Sequence, residues 1–148
     1  MRNFLIIFIF FLTSCGYQPL YSNKNFNKLS FKEIEIFGDK DINRNFISST
    51  FLTQDQQNFT YEKLILKNNK TISETSKNSK GQPESFRMTI DLQITLIDNG
   101  KTLKQKTFKE EFSYKNIENK FDLYEYEINV QNNLINKITE ELIIYLNL

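Results

Sequence analysis

The chain has 148 residues, a formal net charge of +1 and no histidine, which excludes a Ser-His-Asp triad, a Cys-His pair and any histidine-containing zinc site. With 19 basic against 18 acidic side chains, it has no overall basic field to attract nucleic acid. One cysteine leaves no possibility of an internal disulfide, so stability must come from packing.

The amino terminus carries the strongest signal. Arg2 supplies a short positive region, and Phe4 to Leu12 is an apolar run too short to span a bilayer as a helix. It leads into Leu12-Thr13-Ser14-Cys15, a branched apolar residue, two small residues and a cysteine, which is the pattern of a bacterial lipobox. Residues 1–14 are therefore expected to be a lipoprotein signal peptide. The Cys15 thiol would take a diacylglyceryl group as a thioether, and its freed amine a further acyl chain. At about 0.8 kcal/mol per buried methylene, two or three chains make a lasting anchor. Gly16 stands where an aspartate would favour the inner membrane, so the expected address is the periplasmic side of the outer membrane. Removing Arg2 leaves 18 basic and 18 acidic side chains in a near-neutral mature domain.

Residues 15–30 read as a lipidated tether, polar except for Tyr17, Leu20 and Tyr21. Phe31 to Phe37 is expected to be a strand with Ile34 and Ile36 on one face, ended by Gly38. Asp39 or Asp41 can cap a helix in which Ile42, Phe46, Ile47 and Phe51 recur at helical spacing as far as about Gln54. Tyr61 to Leu66 is a second strand, continuing with a kink at Asn68-Asn69 to Thr75. A polar turn follows over residues 76–83. From Phe86 to Leu96 apolar and polar residues alternate without a miss, which marks a strand with one wet face.

Asp98-Asn99-Gly100 is a hairpin turn. A two-residue loop would pair Leu96 with Leu103 but put Thr107 and Lys109 on the core face. A three-residue loop with Gly100 as the bulge residue, preferred because it buries the aromatics, pairs Leu96 with Thr102, Phe108 with Ile90 and Phe112 with Phe86. The fourth strand runs from about Lys101 to Tyr114. Lys101, Lys104, Lys106 and Lys109 form its charged edge, with Lys104 and Lys106 laying their stems along the core face. A long helix closes the chain from about Glu118 to Leu146. Its expected buried stripe is Ile128, Gln131, Ile135, Ile138, Leu142 and Tyr145, flanked by Leu134 and Leu146.

These elements define an α+β fold, β-α-β-β-β-α: a four-stranded mixed sheet with two helices packed on one face, forming a two-layer sandwich over residues 31–148. The crossover through the first helix sets strand two parallel to strand one.

Cys15-Gly16-Tyr17-Gln18-Pro19-Leu20-Tyr21 resembles the opening of mature alphaproteobacterial members of the lipopolysaccharide-assembly lipoprotein LptE family. The resemblance extends through the element order, the alternating strand, the Asn99-Gly100 turn and Phe112-Ser113-Tyr114 leading to a long closing helix. The chain departs from it at Ile143-Ile144-Tyr145, where the family often carries arginine.

The resemblance implies an outer-membrane lipoprotein that plugs and helps assemble the LptD β-barrel and binds lipopolysaccharide on its way to the surface. Lipopolysaccharide phosphates require local cations, and the candidates are Lys70, Lys77, Lys80 and Arg87. The expected partners are LptD, lipopolysaccharide and the outer-membrane bilayer through acyl chains on Cys15. The alternative is a periplasmic-face lipoprotein acting as a binding or inhibitor module for another soluble ligand, with a concave apolar patch. No enzymatic activity, cofactor or metal is expected; Glu110 and Glu111, adjacent on a strand, point to opposite faces and cannot act as a pair. Mass spectrometry of the mature protein should find an acylated Cys15 as its first residue. An unprocessed or soluble chain with a free thiol there would remove the lipoprotein assignment.

Overall fold

The computed structural model describes residues 29–50 and 52–147. The expected signal peptide, Cys15, the tether as far as residue 28 and the side chain of Phe51 lie outside the described residues. In order, the elements are β1 (Ser30–Phe37), α1 (Lys40–Ser49), β2 (Thr53–Gln54), β3 (Tyr61–Lys77), β4 (Pro83–Asp98), β5 (Lys101–Lys115) and α2 (Lys120–Asn147). They build one sheet of order β2-β1-β3-β4-β5, in which β1 runs parallel to β2 and β3 while β3, β4 and β5 are antiparallel. The α+β class, the mixed sheet and the parallel placement of the first two long strands are as the sequence implies.

The alternation of β4 does what its pattern dictates. Met88, Ile90, Leu92, Ile94 and Leu96 are buried, facing Leu64 and Leu66 of β3 and Phe108 of β5. Both helices close over this face: α1 packs on β1 and β3, α2 on β4 and β5. They touch each other where Asn45 Nδ2 donates to Asn132 Oδ1 at 3.4 Å. Ile42 and Phe46 of α1 and Leu134, Ile138 and Leu142 of α2 complete a single core.

The start of α1 is fixed by a close approach. Asp39 caps the helix, its Oδ1 accepting from the amides of Asp41 (2.9 Å) and Ile42 (3.1 Å). Asn68, buried in mid-β3, clasps the same residue from below: its Oδ1 accepts from Asp39 N (3.0 Å) and its Nδ2 donates to Asp39 O (3.1 Å). Gly38 makes this possible. It sits at φ +100°, and a Cβ there would collide with the Asn68 carbonyl oxygen.

Four details of the sheet differ from the sequence expectation. The sheet has five strands, because the helix stops at Ser49. Thr50 Oγ1 donates to Phe46 O at 2.8 Å and the backbone turns extended, so Thr53 N can donate to Leu29 O at 3.1 Å as an edge strand. β3 is continuous through Asn68-Asn69, and its irregularity falls instead at Glu74–Lys77. Phe31, which strict alternation places on the face opposite Ile34 and Ile36, is fully buried and stacks on Tyr61 with centroids 6.0 Å apart.

The hairpin register is the fourth. Asn99 (φ 50°) and Gly100 (φ 70°) form a two-residue turn with both residues left-handed, the I′ geometry that matches strand twist. The bulge is displaced from the loop to Leu103, so Leu96 pairs with Lys104, Leu92 with Phe108, and Phe86 with Tyr114. One extra residue still sits on β5, so Phe108 and Tyr114 keep the core face and Lys104 and Lys106 share it. Their stems lie as expected: Lys106 Nζ is 4.4 Å from the Phe108 ring centroid, and Lys104 Nζ donates to Tyr145 O at 3.1 Å.

On α2 the buried stripe is Leu123, Val130, Leu134, Ile135, Ile138, Leu142 and Leu146, which leaves out Ile128. Glu127, beside this stripe, accepts a hydrogen bond from Tyr114 Oη at 2.6 Å. Burial, and after it this carboxylate, pushes the Tyr114 hydroxyl above the ordinary tyrosine range. The folded state therefore binds the phenolic proton more tightly than the unfolded one. The associated stability is complete below the ordinary tyrosine value of 10.0 and is lost as pH rises through the raised folded value. Tyr114→Phe should cost about 1 kcal/mol at neutral pH and flatten the alkaline fall in the urea midpoint. Parallel pH profiles for the two proteins would show that this hydroxyl does not titrate with unfolding.

Candidate functional site

β3 and β4, 17 and 16 residues long, extend roughly 50 Å at about 3.3 Å per residue, and their ends are unlike. At the near end lie the start of β1, the Asn99-Gly100 turn and the last turn of α2; Gly100 N donates to the Glu62 carboxylate at 3.1 Å. The chain preceding Leu29 joins there. At the far end is the loop of residues 78–82.

That loop is a built turn. Asn78 Oδ1 accepts from the amides of Lys80 (2.9 Å) and Gln82 (3.0 Å), and Asn78 N donates to Gln82 O at 2.9 Å. Lys80 projects from it with no ion-pair partner among the described residues. Lys77, at the end of β3, pairs with Glu74 at 3.0 Å. Lys70 and Arg87 are elsewhere. Lys70 is on the helix side of the sheet, where its Nζ donates to Gln131 Oε1 at 2.8 Å. Arg87 is on the opposite face, 3.6 Å from Glu111 and bonded through Nε to Ser113 Oγ at 3.2 Å. The four sequence candidates thus resolve into two lysines at the tip and one cation on each face. Strand alternation separates the last two: Lys70 pairs with buried Ile90, and Arg87 with Ser73.

The far end also carries apolar side chains absent from the sequence candidates. Phe121 (64% exposed), Tyr124 (62%) and Ile128 (39%) stand at i, i+3 and i+7 on α2, turned away from the core that holds Leu123 and Val130. Ile72 of β3 and Phe112 of β5, on the core side of the sheet, are also exposed. α1 begins beside Asn68 and leads back to Thr53 beside Ser30. It therefore covers only the near half of β3, and Lys70, Ile72 and Glu74 have no helix above them but α2. The spacing of Phe121, Tyr124 and Ile128 was a legible signal, but it competes with the core stripe on the same two turns.

The second face of the sheet has no helix on it, and it is mostly polar, with Phe37 (52% exposed), Ile65 and Ile97 as its apolar members. Thr71, Thr89 and Glu111 form one cross-strand row, Ser73, Arg87 and Ser113 the next. Some of its charges are paired. Lys63 hydrogen-bonds Glu35 and lies 3.5 Å from Glu33; the Glu35 bond, above all, holds its ammonium above the ordinary lysine range. Asp91 stands opposite Lys109 in the ladder, and Lys67 and Lys115 lie on the same face with no ion pair among the described residues. The face is thus of mixed charge, only partly neutralised.

No protein-family model and no curated protein matches the chain. Its fold is shared with solved bacterial proteins. The rare lipoprotein B of Shewanella oneidensis superposes with a TM-score of 0.54 at 9% identity, covering 77% of this chain and 92% of that one. A minor lipoprotein of Acinetobacter baumannii gives 0.55 at 12%, covering 81% and 91%. Lipoprotein B of Nitrosomonas europaea gives 0.55 at 12%, covering 85% and 88%. At such identities the likeness is one of fold.

Proposed function

We propose that the protein is an outer-membrane lipoprotein, anchored through Cys15, that plugs and helps assemble the LptD β-barrel and binds lipopolysaccharide in transit to the surface. The observation that carries this reading is the helix-free sheet face, rich in hydroxyls and carrying charges of both signs. A large barrel encloses a polar lumen, and a mostly polar face of mixed charge, with Phe37, Ile65 and Ile97 as its apolar members, suits such a wall. The lipobox and a fold shared with proteins named as lipoproteins support the anchored address.

The far-end loop is the preferred contact for lipopolysaccharide phosphate, with Lys80 free and Lys77 releasable from an exposed pair with Glu74. Replacing both, Lys77→Ala with Lys80→Ala, should weaken lipopolysaccharide binding by about tenfold. Arg87→Ala, on the other face, should leave it within about twofold. The reverse ranking would move the site to the sheet face.

A photo-crosslinking residue at Gln93 or Thr95 on the open face should capture an outer-membrane β-barrel protein in intact cells, whereas one at Glu141 on α2 should not. Depletion should also lower surface lipopolysaccharide. Recovery of the lipoprotein after mild detergent extraction without any barrel would overturn the plug role and favour a module for a soluble ligand.

A further inference from the structure

We propose that the outer edge of β1 is a strand-docking site that takes an extended, acid-bearing segment of another protein. β2 pairs only with Ser30 and Phe31. From Lys32 to Phe37 no strand lies outside β1 among the described residues. Leu29 and Phe31 turn their carbonyls toward β2, accepting from Thr53 N (3.1 Å) and Asp55 N (2.9 Å). By the alternation of the strand, Glu33 and Glu35 turn their backbone groups to the same side.

Edges of this kind are ordinarily blunted by charged side chains. Here Glu33 and Glu35 are drawn away across the open face to Lys63, and Lys32 lies over the Phe59 ring with its carbonyl accepting from Gln54 Nε2, so the stretch left open is residues 33–36. What remains beside the edge is an open groove of about 530 Å³ between β1 and α1, with Ile36 and Ile47 in its wall and Lys40 and Arg44 along its rim. Asn43, which also lines it, donates Nδ2 to Phe37 O at 3.2 Å, while its Oδ1, buried, has no donor. Free backbone along an edge and an apolar slot beside it are the requirements for adding a strand whose side chains fill pockets on one side.

Charge selects the occupant. Lys40 has no ion pair among the described residues, and Arg44 has only Asp41 at 3.8 Å, both side chains being about 80% exposed. The chain's own residues 16–28 bring Lys24 and Lys28 and no acid. A second copy presenting the same edge would bring its own Lys40 and Arg44. Both therefore meet a like-charged rim, and an acidic segment from a different protein does not.

The test uses the mature acylated chain in detergent micelles and two synthetic peptides. One is Thr-Val-Thr-Glu-Thr-Val-Thr-Glu, which as a strand presents valine and glutamate to the groove; the other has lysine for glutamate. The acidic peptide should slow amide exchange at Glu33 and Glu35 and bind about tenfold more tightly than the basic one. Lys40→Glu with Arg44→Glu, both changes at the groove rim, should invert that order. No protection at the edge, equal affinities, or an order unchanged by the charge reversal would overturn the proposal. None of these outcomes depends on lipopolysaccharide or on a barrel.

Discussion

The long antiparallel pairing of β3 with β4 is the constraint on which the molecule depends. It buries one face only, and that face holds Leu64 and Leu66 against Leu96 and Ile94, with Leu92 opposite Asn68 and Ile90 opposite Lys70. A slip of one residue would turn every one of these side chains to the opposite side. At roughly 1.5–3 kcal/mol for each large apolar side chain, that loss far exceeds what any ion pair on the surface could return. Register is thus set by burial along the strands, and β5, α1 and α2 attach to a sheet already defined.

The attachment of α1 gives the domain its asymmetry. Gly38, Asp39 and Asn68 hold its first turn against the middle of β3. From that point the helix can only lead back toward Thr53. The near half of the sheet is therefore roofed by two helices, the far half by α2 alone. The exposed stripe of Phe121, Tyr124 and Ile128, together with Ile72, is the consequence of a hairpin and a helix that outrun the roof. The tip lysines lie beyond it, at the end opposite the chain's entry.

Charge is handled locally throughout. On the open face Lys63 pairs with Glu33 and Glu35, and Arg87 with Glu111. On the core side, Lys104 and Lys106 are accommodated by the faces of Tyr145 and Phe108. The sheet edges differ for the same reason. β5 is guarded by lysine stems, whereas the glutamates of β1 are occupied by Lys63, so its edge stays open beyond Lys32.

From the sequence alone, the order of the long elements, the mixed sheet and the buried face of β4 were determined, because strict alternation over Phe86 to Leu96 and helical spacing in the closing segment are local properties. A capping aspartate, Asp39 or Asp41, was legible for the same reason. The tertiary structure decided what depends on distant partners. Asn68 reads as a break in a strand until it is seen holding Asp39 across 29 positions. Thr53-Gln54 is too short to carry a pattern, and becomes a strand only because Leu29 and Phe31 offer it carbonyls. Ile128 fits a helical stripe in sequence, but which stripe meets the sheet depends on where α2 crosses β4 and β5. The separation of Lys70 from Arg87 likewise follows from register, which no single strand contains.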